Sequence, residues 1–374
     1  MFGRLRRPNI LRTRRAVRRV VGILPAVKTL SLALLSVGAL ASPFSLPTRA
    51  PQGAVFQVSV APLPDEDLAS ECRYELTLTD RTRTIESVWV IFDRGRDMLR
   101  YYGDPDVYAF ARRHGWALLL PFHCPAKSGT DGDMNMDPSQ GIGRALVAAL
   151  SKFGEVSGHR ELASAKLILL GFSGTGVLSA RFPDYATDRV VAVIAAHAGH
   201  NPRGLETIEL SPKGSAIPQL IVAGSTDRIT GTQRPYDYFR RHFDRGAPWT
   251  FVIQNKTPHC CVINVKPLML EWLEATVVRR MRPDGKPNSY GFIRMAAETK
   301  EGCRNLFPPA VPIWCDGTKD AWGGENWSVT SATVERRQQS PEGMKPAGWL
   351  ATSELAKHWL SFIRQGEHPV TSLP

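Results

Sequence analysis

The sequence predicts an α/β fold, with a mostly parallel central sheet and helices on both of its faces. From about residue 54 onward, short apolar runs alternate with segments whose apolar residues recur at helical spacing. Continuous apolar runs are typical of strands buried on both faces of a parallel sheet, and their alternation with helices predicts crossover connections between parallel strands. The predicted strands comprise residues 56–61, 74–78, 87–92, 116–122, 166–171, 190–196, 219–224 and 250–253.

Helical periodicity is clearest over residues 142–153, where apolar side chains recur every three or four positions on one face. A second core helix is predicted over residues 267–280. The segment 284–374 differs, because it is rich in Gly, Pro, Asn and Lys and yet holds five of the nine Trp residues. We expect it to be an extension packed on the main domain, with a strand over residues 327–335 and a closing helix after Ser353.

The charge of the chain is concentrated at its N-terminus. The 374 residues include 47 Lys and Arg against 35 Asp and Glu, a net charge of +12. Nine of those basic residues and no acidic residue lie in the first 41 positions, followed by an apolar run over 30–41 that ends in Ala39-Leu40-Ala41. This order is typical of a secretory signal peptide cleaved after Ala41, by either the Sec or the twin-arginine route.

If residues 1–41 are removed on export, the charge of the mature protein is that of residues 42–374. Residues 42–374 carry 38 basic and 35 acidic side chains, a net charge of +3, so composition gives no support for a nucleic-acid partner. The apolar run is too short to span about 30 Å of hydrocarbon, so we expect no stable membrane anchor after the signal is removed. We therefore expect a periplasmic or secreted protein with a signal peptide at 1–41, a catalytic domain at 42–283 and the extension at 284–374.

The six cysteines all lie beyond residue 41. An oxidising compartment permits three disulfides among them, with 15 possible pairings, although several could instead be free buried thiols. We expect Cys303 and Cys315 to form a local pair. No Cys or His spacing is typical of a zinc site, so no metal is predicted.

The segment that carries chemistry runs from Gly171 to Gly176, with the sequence Gly-Phe-Ser-Gly-Thr-Gly. It follows the predicted strand 166–171 and precedes a stretch compatible with a helix, which is the context of a nucleophile elbow that exposes a serine, here Ser173. Position 175 is Thr where the usual pattern has Gly. A Gly-rich turn between strand and helix with an incidental Ser is one alternative, and a phosphate-binding loop is another. The second would need the P-loop lysine or the full glycine fingerprint of a dinucleotide site, and the segment has neither.

A base and an acid follow Ser173 in the chain. Asp227 comes just after the predicted strand 219–224, and His259 comes after the predicted strand 250–253. Singly, Asp227 would be a turn residue and His259 a surface histidine. Because a serine hydroxyl needs a base that is itself oriented by an acid, the order Ser173, Asp227, His259 predicts a catalytic triad.

This order and the elbow resemble the α/β-hydrolase superfamily, and in layout its secreted esterase and dienelactone-hydrolase-like members. The resemblance covers about residues 54–283. It implies an α/β-hydrolase fold and an oxyanion hole formed by the N–H of Gly174 and by Arg94 or Gly95, in a loop where many relatives have His-Gly. Phe172, His123 and His197 follow strand ends, and they are possible pocket residues or packing residues.

The expected function is an exported serine hydrolase that cleaves a small-molecule carboxylic ester through an acyl-enzyme, without a cofactor. A peptidase or amidase with the same triad is one alternative, and a non-catalytic binding protein on a hydrolase scaffold is another. Cys260 and Cys261 directly follow His259. A disulfide from one of them to Cys124 or to the extension would hold the histidine loop rigid.

Overall fold

The computed structural model of the protein describes residues 53–94, 96–129, 133–199, 208–278, 292–294, 313–319, 325–329, 333–335 and 348–365. The predicted signal peptide, and the boundary at 283 between the catalytic domain and the extension, lie outside these ranges and stay predictions. In the part of the chain that the structure describes, no helix is both long and apolar enough to cross a membrane.

The centre of the molecule is one eight-stranded sheet. Its strands are β1 (Ala54–Val60), β2 (Cys72–Leu78), β3 (Ser87–Ile91), β4 (Trp116–His123), β5 (Lys166–Phe172), β6 (Val190–Ala196), β7 (Gln219–Gly224) and β8 (Thr250–Gln254). They lie in the order β1-β2-β4-β3-β5-β6-β7-β8. The two pairs that β2 forms, with β1 and with β4, are antiparallel, and the other neighbouring pairs in this sheet are parallel. The predicted fold class is confirmed.

The burial of the strands follows their sequences. Every residue of β3, β7 and β8 is buried, as expected for apolar strands covered by helices on both faces. By contrast, β1 at the sheet edge alternates between buried or half-buried and more exposed residues. The strands away from this edge are therefore the most buried part of the sheet, and the loops that carry the site follow such strands.

The strand order contains one reversal, and it decides where a ligand can bind. The chain passes from β3 outward to β4 and then returns to place β5 on the other side of β3. The loops that follow β3 and β5 therefore separate at the carboxyl edge of the sheet and leave a crevice between them, which is where open α/β sheets bind ligands. Arg94 follows β3 and Ser173 follows β5, so both lie at this crevice.

Helices cover the sheet between the strands. They are α1 (Arg96–Tyr102), α2 (Pro105–Arg113), α3 (Ile142–Ser157), α4 (Gly174–Tyr185), α5 (Pro212–Ser215), α6 (Gln233–Phe243) and α7 (Lys266–Leu273). The predicted helix at 142–153 is confirmed as α3, which ends at the left-handed Gly158. The second predicted helix, at 267–280, is present as α7, which continues as a π-helical turn over Glu274–Val278; residues 279–280 lie outside the described residues.

The described part of the segment 284–374 contains four short strands and a helix, α8 (Ser353–Gln365). The strands are β9 (Phe292–Arg294), β10 (Ile313–Lys319), β11 (Glu325–Val329) and β12 (Thr333–Glu335). The described residues of the strand predicted at 327–335 belong to two strands, since β11 pairs with β10 and β12 pairs with β9; residues 330–332 between them lie outside the described residues. α8 packs on the core through the buried Trp359, whose Nε1 donates to the Phe251 carbonyl oxygen at 2.8 Å.

Two disulfides lie among the described residues, Cys72–Cys124 and Cys260–Cys261. The expectation that Cys260 or Cys261 bonds to Cys124 or to the extension was wrong. β2 and β4 pair antiparallel, and their register brings the first residues of β2 beside the end of β4. Cys124 therefore meets Cys72, which leaves the two adjacent cysteines to bond to each other.

The other predicted disulfide pairs Cys303 with Cys315. Cys303 lies outside the described residues, so this pairing stays a prediction.

Candidate active site

The backbone at Ser173 has the conformation that a nucleophile elbow requires. Ser173 has φ 55° and ψ −122°, in a region that L-residues seldom occupy. Its N–H donates to the Ala196 carbonyl oxygen on the neighbouring strand at 2.9 Å, and α4 begins at the next residue. The sharp turn from β5 into α4 therefore lifts the Ser173 side chain above the carboxyl edge of the sheet.

Close approaches explain Gly171 and Gly176, and side-chain hydrogen bonds explain Thr175. A Cβ on Gly171 would lie 2.0 Å from the Thr175 carbonyl oxygen, and a Cβ on Gly176 would lie 2.9 Å from the Ala198 Cβ. The Thr175 hydroxyl accepts from the Phe172 N–H at 3.0 Å and donates to the Phe172 carbonyl oxygen at 2.9 Å. Thr is thus tolerated at the position where the usual pattern has Gly, because its hydroxyl ties the end of β5 to α4.

The structure brings Ser173, His259 and Asp227 together in one hydrogen-bonded line. His259 Nε2 lies 3.0 Å from Ser173 Oγ, and His259 Nδ1 lies 2.8 Å from Asp227 Oδ2. Each residue is carried by the loop after a different parallel strand, β5, β7 or β8. In this geometry the imidazole can take the serine proton at Nε2 while its Nδ1–H stays bonded to the carboxylate.

Asp227 is completely buried and held from several directions. Its Oδ1 accepts from the N–H groups of Ile229 and Thr230 at 2.8 and 3.0 Å, and its Oδ2 accepts from the Thr230 hydroxyl at 2.8 Å. Burial raises the pKa of Asp227, but hydrogen bonds and charges from His197 and His259 outweigh it and hold the pKa of this carboxyl far below its usual range. Asp227 is therefore an anion at every pH at which the protein would work.

A second histidine contacts the same carboxylate, and the sequence did not assign it this place. His197 Nδ1 lies 3.0 Å from Asp227 Oδ2, and its Nε2 lies 2.7 Å from Gln254 Oε1. The suggestion that His197 lines a pocket was wrong, because its side chain has no exposed surface and lies behind Asp227. Its position directly after the buried strand β6 was the only sequence signal, and it gave no indication of the partner.

The predicted oxyanion donors lie on both sides of the crevice. Gly174 is the first residue of α4, so its N–H has no acceptor within the helix. The N–H groups of Phe92 and Asp93 are bonded to Leu170 and Pro121 carbonyl oxygens, which leaves the next residues of the loop to supply a second donor. Arg94 begins that stretch, and Gly95 lies outside the described residues.

The Arg94 side chain lies beside the elbow and is paired. Its guanidinium forms a two-pronged salt bridge with Asp133, in which Nη2 lies 3.3 Å from Oδ2. A Cβ added to Gly174 would lie 3.7 Å from Arg94 Cζ and 3.8 Å from Met136 Sδ. A positive group therefore flanks the mouth of the site, partly neutralised by a carboxylate.

The remaining predicted pocket residues separate into two groups. The Phe172 ring lies 4.8 Å from the His259 ring, centre to centre, so it adjoins the base. His123 is exposed at the end of β4, where its Nε2 lies 3.2 Å from Ser70 Oγ. None of the contacts described for His123 is with the triad, so its place as a possible pocket residue stays a prediction.

The cluster of His197, Asp227 and His259 contains residue types that bind metals, with one donor atom from each within 4.8 Å of the others. Its hydrogen-bond pattern accounts for the cluster in another way, since both imidazoles direct an Nδ1 at the shared Asp227 oxygen. Those nitrogens carry protons that a metal would have to displace. The donor set therefore fits a hydrogen-bonded carboxylate better than a metal centre.

No protein-family model and no curated protein matches the chain. Among solved structures, it is similar to a fluorophosphonate-binding serine hydrolase of Staphylococcus aureus, with 12% identity, a TM-score of 0.39 and coverage of 56% of this chain and 92% of that one. It is similar to a Pyrococcus furiosus esterase with 15% identity, a TM-score of 0.43 and coverage of 60% and 91%. It is also similar to a Xanthomonas campestris α/β serine hydrolase without a lid, with 17% identity, a TM-score of 0.41 and coverage of 61% of this chain and 95% of that one.

At such identities and TM-scores these similarities assign neither a fold nor an activity to this chain. The chain's own topology is the firmer observation: parallel strands order the elbow, the acid and the base along one edge of the sheet, in the sequence Ser173, Asp227, His259. The protein has the α/β-hydrolase fold.

Proposed function

We propose that the protein is a serine hydrolase that cleaves carboxylic esters through an acyl-enzyme. The observation that carries the proposal is the continuous line of hydrogen bonds from Ser173 Oγ through His259 to the buried Asp227. A half-buried serine in a strained elbow, a base within reach and a fixed anion behind the base are the three parts that activate a hydroxyl nucleophile.

In the proposed mechanism each of the three residues has one step. Ser173 Oγ attacks the ester carbonyl carbon while His259 Nε2 takes its proton, and Asp227 stabilises the imidazolium that forms. The negative charge on the carbonyl oxygen is met by the N–H of Gly174 and by a second N–H from the loop after β3; each such donor lowers the barrier by about 3 kcal/mol.

The second half of the reaction reuses the same groups. His259 returns its proton to the departing alcohol, which leaves the acyl group on Ser173. Water then enters, His259 takes a proton from it, and the hydroxide attacks the acyl carbonyl. Collapse of the second tetrahedral intermediate returns the proton to Ser173 Oγ and releases the carboxylic acid.

A fluorophosphonate probe and p-nitrophenyl esters of several acyl lengths test this function in the mature protein. Ser173 is expected to be labelled, and Ser173→Ala is expected to abolish both labelling and turnover. Ser151→Ala, on α3 and away from the site, is the matched control and should behave like wild type. Turnover that survives in Ser173→Ala would contradict the proposal.

The same assay distinguishes the alternatives. Labelling accompanied by cleavage of anilides but not of esters would identify an amidase or peptidase. A folded protein that neither labels nor turns over any ester would indicate a binding protein on a hydrolase scaffold. Export is part of the proposal, and N-terminal sequencing of the protein from the periplasm or medium should find Ser42 as its first residue.

A further inference from the structure

The buried His197 ring has an acceptor at each of its two nitrogens. Its Nδ1 faces Asp227 Oδ2 at 3.0 Å, and its Nε2 faces Gln254 Oε1 at 2.7 Å. A carboxylate oxygen and an amide oxygen can only accept hydrogen bonds. A neutral imidazole carries one N–H, so it could donate at only one of these contacts. At the other contact, the nitrogen lone pair would face a lone pair of the oxygen.

The orientation of the Gln254 amide is set by a further contact. Gln254 Nε2 donates to the Cys261 carbonyl oxygen at 3.3 Å. Turning the amide over would place its oxygen against that carbonyl oxygen and lose this bond. Gln254 is itself almost fully buried, so water is not at hand to compensate, and Oε1 is held toward His197.

Among the residues that the structure describes, the surroundings of His197 supply one anion to balance a positive ring. Facing the ring are Asp227 from the loop after β7, His259 from the loop after β8, the uncharged Gln254 on β8 and Phe172 at the end of β5. The His197 ring is fully buried, so a positive charge on it needs a compensating anion nearby. The directly bonded Asp227 carboxylate provides that negative charge.

The backbone is shaped to admit this ring. His197 lies in the left-handed region with φ 49°, and its N–H donates to the Val222 carbonyl oxygen at 2.7 Å. A Cβ on Gly224, at the end of β7, would lie 2.8 Å from the His197 Cε1 atom. The absence of a side chain at Gly224 therefore leaves the space that the imidazole occupies between β7 and the triad.

We propose that His197 is a positioning residue held as an imidazolium, which shares the Asp227 carboxylate with His259. This inference rests on the proposed function, because its effect on catalysis acts through His259. The His197 N–H fixes Oδ2 in line with the base, and its charge opposes protonation of His259, whose ring centre lies 5.9 Å away. The enzyme is therefore expected to stay active to lower pH than a variant that lacks this charge.

The test is the pH profile of kcat/KM in His197→Asn. Asn retains a donor near the position of Nδ1, tolerates the left-handed backbone and carries no charge. We expect the acid limb of the profile to move to higher pH by about one to two units, as loss of a unit charge at this distance implies. His242→Asn, which removes another buried histidine on α6, is the matched control and should leave the limb in place.

A second readout does not depend on turnover. In ¹⁵N-histidine-labelled Ser173→Ala protein near neutral pH, the His197 resonances, identified by their loss in His197→Asn, should show protons on both ring nitrogens. A neutral tautomer there, or an unshifted acid limb in a folded His197→Asn enzyme whose Ser173 still reacts with fluorophosphonate, would overturn this inference alone. Failure of the wild type to react with fluorophosphonate would instead overturn the proposed function, and with it the catalytic role of His197.

Discussion

Replacement of Asp227 by asparagine removes the anion that the site is built around. Asp227 Oδ1 accepts two backbone N–H groups, from Ile229 and Thr230, and Oδ2 accepts from His259, His197 and the Thr230 hydroxyl. In Asp227→Asn the amide oxygen stays with the two fixed backbone donors. The new NH₂ group then takes the Oδ2 position and faces three donors.

The consequence for catalysis follows from the His259 tautomer. Against an NH₂ group, His259 is favoured with its proton on Nε2, where it can no longer take the proton of Ser173. Loss of the correct tautomer in a serine triad lowers kcat by about 10⁴-fold, which corresponds to about 5 kcal/mol of barrier. KM should change little, because Asp227 is fully buried and does not reach the substrate.

Steady-state hydrolysis of a p-nitrophenyl ester and the rate of fluorophosphonate labelling measure this effect. Asp184→Asn, which changes a carboxylate that holds Ser211 rather than the triad, serves as the matched control and should keep wild-type kcat. A folded Asp227→Asn enzyme whose kcat falls by less than tenfold would refute the assignment of Asp227 as the orienting acid.

Three further outcomes are expected. Because the pKa of Asp227 is lower in the folded chain than the unfolded value of about 3.9, this carboxylate contributes its full stabilisation above that pH, and the contribution falls progressively as the pH drops from there toward the folded pKa. The difference in unfolding free energy between wild type and Asp227→Asn, from urea titrations, should therefore shrink as the pH falls from 5 to 3, and a constant difference would oppose this. Asp133→Asn releases Arg94 and should raise kcat/KM for carboxylate-bearing esters relative to neutral ones, with the gain reduced by salt; equal change for both ester types would exclude Arg94 from substrate selection. Removing both Cys72 and Cys124, which are separated by 52 positions, should lower the unfolding free energy by about 4 kcal/mol from loop entropy, and an unchanged urea midpoint would contradict the presence of that disulfide.

Most of the central sheet could be predicted from the sequence, because strands buried on both faces appear as short apolar runs. The seven-residue run of β6, for example, is apolar throughout and matches its predicted bounds. The strand order could not be obtained in this way, since the return from β4 across β3 to β5 leaves no local pattern. The division of residues 325–335 into β11 and β12 was missed because it depends on pairing with two different partners.

The triad residues could be proposed from the sequence because each one follows a recognisable strand in the required order. The contacts between His197, Gln254 and Asp227 could not, since they join side chains from three neighbouring strands or loops that are 57 positions apart at their extremes. Disulfide pairing failed for the same reason: Cys124 meets Cys72 through the register of β2 with β4. Local sequence patterns do not encode which residues become neighbours across the sheet.

The central claim is that Ser173 forms a covalent acyl intermediate with His259 as its base. The most direct measurement is rapid-quench mass spectrometry of the mature enzyme mixed with excess p-nitrophenyl ester, followed by peptide mapping. The account predicts a burst of p-nitrophenol and a mass increase of one acyl group on the peptide that contains Ser173, both absent in Ser173→Ala. An acyl group on another residue, or turnover with no acyl adduct on the wild-type enzyme, would contradict it.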